Sequence, residues 1–108
     1  MAAVNMNRAQ FEAAAAGSKP VLVDFWAPWC VYCRRLAPAF ESIAQQYDGR
    51  LIAGKMNIDE EPAVAAGLQI EVIPTLMLLK DGEVLGRVVA PESGAAIAQF
   101  IENTLGGV

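Results

Sequence analysis

The chain has no histidine and only two cysteines, Cys30 and Cys33. A closed zinc site takes four ligands, so this chain cannot complete one alone; two chains sharing a metal or cluster through four cysteines stay open as an alternative. Positive charge is also scarce. Eight lysines and arginines stand against twelve acids, a net charge of −4. Without a basic stripe to pair with phosphates, the chain is poorly suited to nucleic acid or anionic lipid. Nothing approaches the roughly 20 consecutive apolar residues of a membrane span. Four alanines at 13–16 come nearest at the N-terminus, but Asn5, Asn7, Arg8, Gln10 and Glu12 interrupt the segment. That makes a poor signal peptide. The expected compartment is the cytoplasm, unless a leader was removed ahead of this numbering. In a reducing cytoplasm a lone cysteine pair is seldom a structural bridge and more often catalytic or metal-binding.

What is present suits one globular domain over residues 1–108. Hydrophobic residues make up 55% and charged residues 19%, and a chain of this size buries a core without disulfide staples. Asn7 and Gln10 have capping-box spacing, which predicts a helix to about residue 16, closed by Gly17. "VLVDFWA" (21–27) is a continuous β-branched and aromatic run with one acid inside, the pattern of a strand buried on both faces. Cys33, Leu36, Phe40, Ile43, Ala44 and Tyr47 recur at helical spacing. Pro38 lies inside that helix and removes one backbone hydrogen bond, which predicts a kink. Asp48-Gly49 should end it. "LIAGKMN" (51–57) predicts a second buried strand and "DEEPAVAAG" (59–67) a short helix capped by its acids. Strands at 75–80 and 83–89 flank Asp81-Gly82, a strong hairpin signal. A helix over 92–105 should bury Ile97, Phe100, Ile101 and Leu105 and stop at Gly106-Gly107. The expected order is β-α-β-α-β-α-β-β-α, a mixed sheet with helices on both faces.

Cys30 and Cys33 fall at a strand-to-helix junction. At this spacing two residues share a helix face, with Cα atoms about 5–6 Å apart, within disulfide range. Cys30 stands where the helix begins; unpaired N–H groups and the positive end of the dipole favour a thiolate there. Arg34 and Arg35 add positive charge nearby. Cys33 opens the apolar stripe and should be buried. Cys30 is therefore expected to attack and Cys33 to resolve. Of the residues between them, Tyr32 has an N–H that a proline would lack. Turned toward the Cys30 sulfur, that N–H would stabilise the reduced form.

Asp24 shares a strand face with Leu22 and Trp26. A solvated strand edge is one reading. The other is a buried carboxyl of raised pKa that accepts a proton near Cys33, with Lys55 of the neighbouring strand as its pair.

Together these segments resemble the thioredoxin family. "VLVDFWAPWC" resembles the strand and entry to its redox site, "LAPAF" the helix containing Pro38, and "KMNIDEEP" the following strand and loop. "VIPTLMLLKDGE" resembles the segment with the family's cis-proline, here Pro74, and the final hairpin. The resemblance runs from about residue 20 to the last helix. It implies a five-stranded mixed sheet flanked by four helices. It also implies that Cys30 is the nucleophile, Cys33 the resolving thiol, Asp24 the buried acid and Lys55 its partner. Pro74 would face the cysteines, and Trp29 would be the exposed indole beside them. The Ile73 backbone would bind an extended substrate segment. The implied protein is a monomer without bound cofactor or metal. Its implied partners are disulfide-containing proteins and an NADPH-dependent thioredoxin reductase.

Three positions depart from the family pattern. Val31-Tyr32 replaces the usual Gly-Pro between the cysteines, Val72 a small residue, and Ala90 a glycine. All three border the implied substrate groove. Two other functions fit parts of this picture. One is a glutathione-linked, glutaredoxin-like or isomerase-like activity, suggested by Tyr32. The other is a non-catalytic subunit that holds a partner on the Trp29/Val72/Ile73/Ala90 surface.

Overall fold

A computed structural model describes residues 3–106. The Asn7 side chain accepts the Gln10 N–H at 2.9 Å while the Gln10 side chain accepts the Asn7 N–H at 2.8 Å. This capping box starts α1 (Arg8–Ala16), and Gly17 closes it. The helix packs Phe11 and Ala15 onto one face of the sheet.

The apolar run forms β2 (Val21–Trp26), between β3 (Ile52–Asn57) and β4 (Thr75–Lys80). The sheet order is β1-β3-β2-β4-β5, with β1 (Val4–Asn5) and β5 (Glu83–Val89) at the edges. β1, β3 and β2 are parallel; β4 runs antiparallel to β2, and β5 to β4. The alternation along β2 holds. Val21, Val23 and Phe25 join Phe11, Met56 and Met77 on the α1 side; Leu22 joins Leu36, Phe40, Ile43, Ile97 and Ile101 on the other. Each fully buried side chain of this kind contributes roughly 1.5–3 kcal/mol. A strand covered on both faces therefore needs an unbroken apolar run.

All six stripe residues of α2 (Val31–Gln46) are buried or cap the helix, and the helix continues through Pro38. It ends at Gln46, with Tyr47 as its cap, ahead of Asp48-Gly49. The Tyr47 hydroxyl donates to Glu102 at 2.6 Å, tying α2 to α4 (Gly94–Leu105). Asp81 and Gly82 both take positive φ, 54° and 78°. This is the conformation a two-residue hairpin demands, and one that glycine adopts freely.

Some boundaries differ from the sequence expectation. The helix expected over 59–67 is only α3 (Pro62–Gly67), because proline is favoured at the first helical position; no side chain of the acidic run caps it. Glu61 instead accepts the Arg8 N–H at 2.9 Å. α4 starts at Gly94 rather than 92, where Ser93 accepts the Ala96 N–H at 3.1 Å. Gly106 terminates it with φ 84°; Gly107 lies outside the described residues. β1 is two residues long, too short for any periodicity to mark it. Among the described residues no helix is long and apolar enough to cross a membrane.

Candidate active site

The end of β2 and the start of α2 place the cysteines. Cys30 is the N-cap of α2 in an extended conformation, and Cys33 sits one turn in. They are joined as a disulfide with Cα atoms 5.3 Å apart. Cys30 is 9% exposed and Cys33 2%, so of the two sulfurs Cys30 is the more open to a partner. The Cys33 N–H donates to the Cys30 sulfur at 3.2 Å. This corrects the expectation that Tyr32 supplies that donor. A side chain at the N-cap meets the N–H of the third helical residue, and here that residue is Cys33. A proline at position 32 would leave this donor in place.

Three segments surround the disulfide. Ile73 and Pro74 meet in a cis peptide bond, and the Ile73 carbonyl oxygen lies 3.9 Å from the Cys30 sulfur. Trp29, Val31 and Val72 are large, apolar and more than half exposed. The Ala90 N–H donates to the Pro74 carbonyl at 2.8 Å. The Tyr32 hydroxyl reaches across to the Pro91 carbonyl at 2.7 Å. Every position named from the sequence as bordering the groove thus belongs to a segment linked to, or next to, the disulfide.

Asp24 lies on the α2 side of the sheet and is 1% exposed, which removes the solvated-edge reading. Neither carboxyl oxygen has a hydrogen-bond partner among the described residues. Burial pushes its pKa from 3.8 up to about 7, and the Lys55 charge opposes the rise. Lys55 stands directly opposite Asp24 in the β2–β3 register, and its charge acts on the carboxyl without a hydrogen bond to it. Its ammonium lies over the Trp26 ring, 4.7 Å from the centroid. Both residues line a surface cavity of about 240 Å³. An ammonium resting on an indole keeps its hydration; beside Asp24 it would lose it.

Two contacts were not legible in the sequence. Asp59 accepts the Trp29 indole N–H at 2.9 Å, holding the exposed ring. The Arg87 guanidinium donates to the Leu68 and Gln69 carbonyls at 2.9 and 3.3 Å, where α3 gives way to the loop leading to Val72. Asp59 lies in an acidic run that reads as a helix cap. Arg87 has no sequence signal at all.

The thioredoxin family model matches residues 2–103. The chain belongs to the thioredoxin family. It is 48% identical to Thioredoxin 1 of a Nostoc species over 86 residues, 80% of each chain. It is 50% identical to Thioredoxin 1 of Synechococcus elongatus over 88 residues, 82% of this chain and 78% of that one. A solved mutant thioredoxin from Halobacterium salinarum superposes with a TM-score of 0.84 at 29% identity, covering 95% of this chain and 90% of that one. The chain is a thioredoxin-type thiol-disulfide oxidoreductase, a protein-disulfide reductase with Cys30–Cys33 as its redox pair.

Within this thioredoxin frame Ala90 is unusual. Its φ is 48°, in the left-handed region that an ordinary side chain occupies at a cost of about 1–2 kcal/mol. Ala90→Gly should therefore raise stability by about 1 kcal/mol, the relief of strain offset in part by glycine's greater freedom in the unfolded chain. Urea unfolding checks this; a midpoint that falls would show that Ala90 is not strained.

Proposed function

We propose that Cys30, as a thiolate, attacks one sulfur of a protein disulfide. A mixed disulfide forms, and the other substrate sulfur leaves with a proton. Cys33 then gives up its proton to Asp24, directly or through water, and attacks the Cys30 sulfur. The substrate departs as a dithiol, and Cys30 and Cys33 are left oxidised. Lys55 tempers the pKa of Asp24, and Pro74 holds the Ile73 backbone beside the reacting sulfur. The substrate lies extended along Ile73, between Trp29, Val31 and Tyr32 on one side and Val72 and Ala90 on the other. A flavoprotein thioredoxin reductase using NADPH restores the dithiol. The protein works as a monomeric domain of residues 1–108 in the cytoplasm, with no bound cofactor or metal.

The observation that carries this reading is the asymmetry of the pair. The outer sulfur caps the helix and accepts an N–H, and it has the Ile73 carbonyl beside it; the inner one is sealed beneath. The test is reduction of insulin with NADPH and a thioredoxin reductase, set beside reduction with glutathione alone. Turnover should need the reductase. Equal rates with glutathione alone would move the protein to the glutaredoxin-like alternative. Full biological function in a Cys30→Ser, Cys33→Ser double mutant would make it a non-catalytic binding subunit.

A further inference from the structure

The loop leaving β5 is held at two successive residues by the two sides of the redox site. The Ala90 N–H is bound to the Pro74 carbonyl at 2.8 Å, and the Pro91 carbonyl is bound to the Tyr32 hydroxyl at 2.7 Å. Between these anchors Ala90 has φ 48°, a conformation alanine leaves when nothing holds it. Pro91 has no N–H through which the loop could be pinned in another way. It is buried, while the Tyr32 ring is half-buried. A residue between the cysteines therefore fastens a loop 59 positions along the chain.

We propose that the Tyr32 hydroxyl is a positioning group for the substrate groove. By tying Pro91 to α2, it holds Ala90, and with it the far wall of the groove, at a set distance from Cys30. The inference rests on the groove reading given above. A protein substrate that spans the groove depends on both walls. A small disulfide that meets only the Cys30 sulfur does not. Tyr32 acts through Ala90 and Pro91 rather than through the sulfur, so its hydroxyl affects substrate grip and leaves the disulfide chemistry alone.

Tyr32→Phe tests this, since it keeps the ring and the backbone N–H and removes only the tether. The KM for insulin should rise about three- to tenfold, the worth of one neutral hydrogen bond. The kcat, the rate constant with dithiobis(nitrobenzoate) and the equilibrium with a glutathione buffer should stay at wild-type values. Adding Ala90→Gly should bring KM back toward wild type, because glycine takes the left-handed conformation at no steric cost and the bond from residue 90 to the Pro74 carbonyl can then hold the loop without the tether. An unchanged KM in Tyr32→Phe overturns the proposal. So does a parallel loss with both substrates, which would mean a general structural role, or a double mutant no better than the single one. Failure of the wild type itself to reduce insulin would instead sink the functional reading on which the groove depends.

Discussion

Cys33→Ser turns the protein into a trap: it should form mixed disulfides with its substrates and release none of them. Cys30 keeps its place at the helix N-terminus, and the N–H of residue 33 belongs to the backbone and survives the substitution. Attack on a substrate disulfide should therefore proceed near the wild-type rate. Resolution cannot follow, because a serine hydroxyl is almost wholly un-ionised at neutral pH and cannot displace a thiolate. Turnover of insulin should fall to the uncatalysed background, while covalent adducts accumulate that a reductant dissolves. Cys30→Ser should lose both turnover and adducts, since Cys33, 2% exposed, has no access to a docked disulfide. The check is non-reducing electrophoresis with mass spectrometry of the adducts, alongside alkylation of the reduced wild type at neutral pH. Faster alkylation of Cys33 than of Cys30 would reverse the two roles.

Asp24→Asn should stabilise the fold and slow the second half of the reaction. The carboxyl is 1% exposed and has no hydrogen-bond partner among the described residues, so folding strips its water and returns little. Its pKa stands at about 7 in the folded protein against an ordinary 3.8. The folded state thus holds a proton that the unfolded chain has already released. Below about pH 4 both states are protonated and the residue has no effect on stability. From there to about pH 7 stability falls, and above pH 7 the full penalty applies, roughly 4 kcal/mol. Asparagine never ionises. The variant should match wild type near pH 4 and exceed it by several kcal/mol at pH 8, which chemical unfolding at the two pH values will show. Wild type should also lose stability as pH rises through this window. The same substitution removes the proton acceptor for Cys33, so release of the mixed disulfide should slow more than its formation. Equal stability gains at both pH values, or an unaltered release rate, would leave Asp24 without the part assigned to it.

Much of the molecule is readable from local pattern. The burial of β2 on both faces follows from its unbroken apolar run, and the α2 stripe from side chains recurring at helical spacing. The Asn7–Gln10 capping box and the Asp81-Gly82 turn are contacts between residues a few positions apart, so local spacing alone predicts them. The pairing of Cys30 with Cys33 is likewise a matter of one helical turn. Other features depend on which segments are brought side by side. Register sets Lys55 opposite Asp24, yet the ammonium lies on Trp26, because the indole leaves it hydrated and a buried site would not. Asp59 reads as a helix cap but holds Trp29, since a proline at the first helical position moves the start of α3 past it. The bond from Tyr32 to Pro91 has no local trace. It exists because closing the sheet delivers the end of β5 beside the first turn of α2. The sequence marked the longer elements, the core faces and the redox pair. The tertiary structure decided which polar groups meet around that pair, because a side chain's partner depends on distances set only when the sheet is assembled.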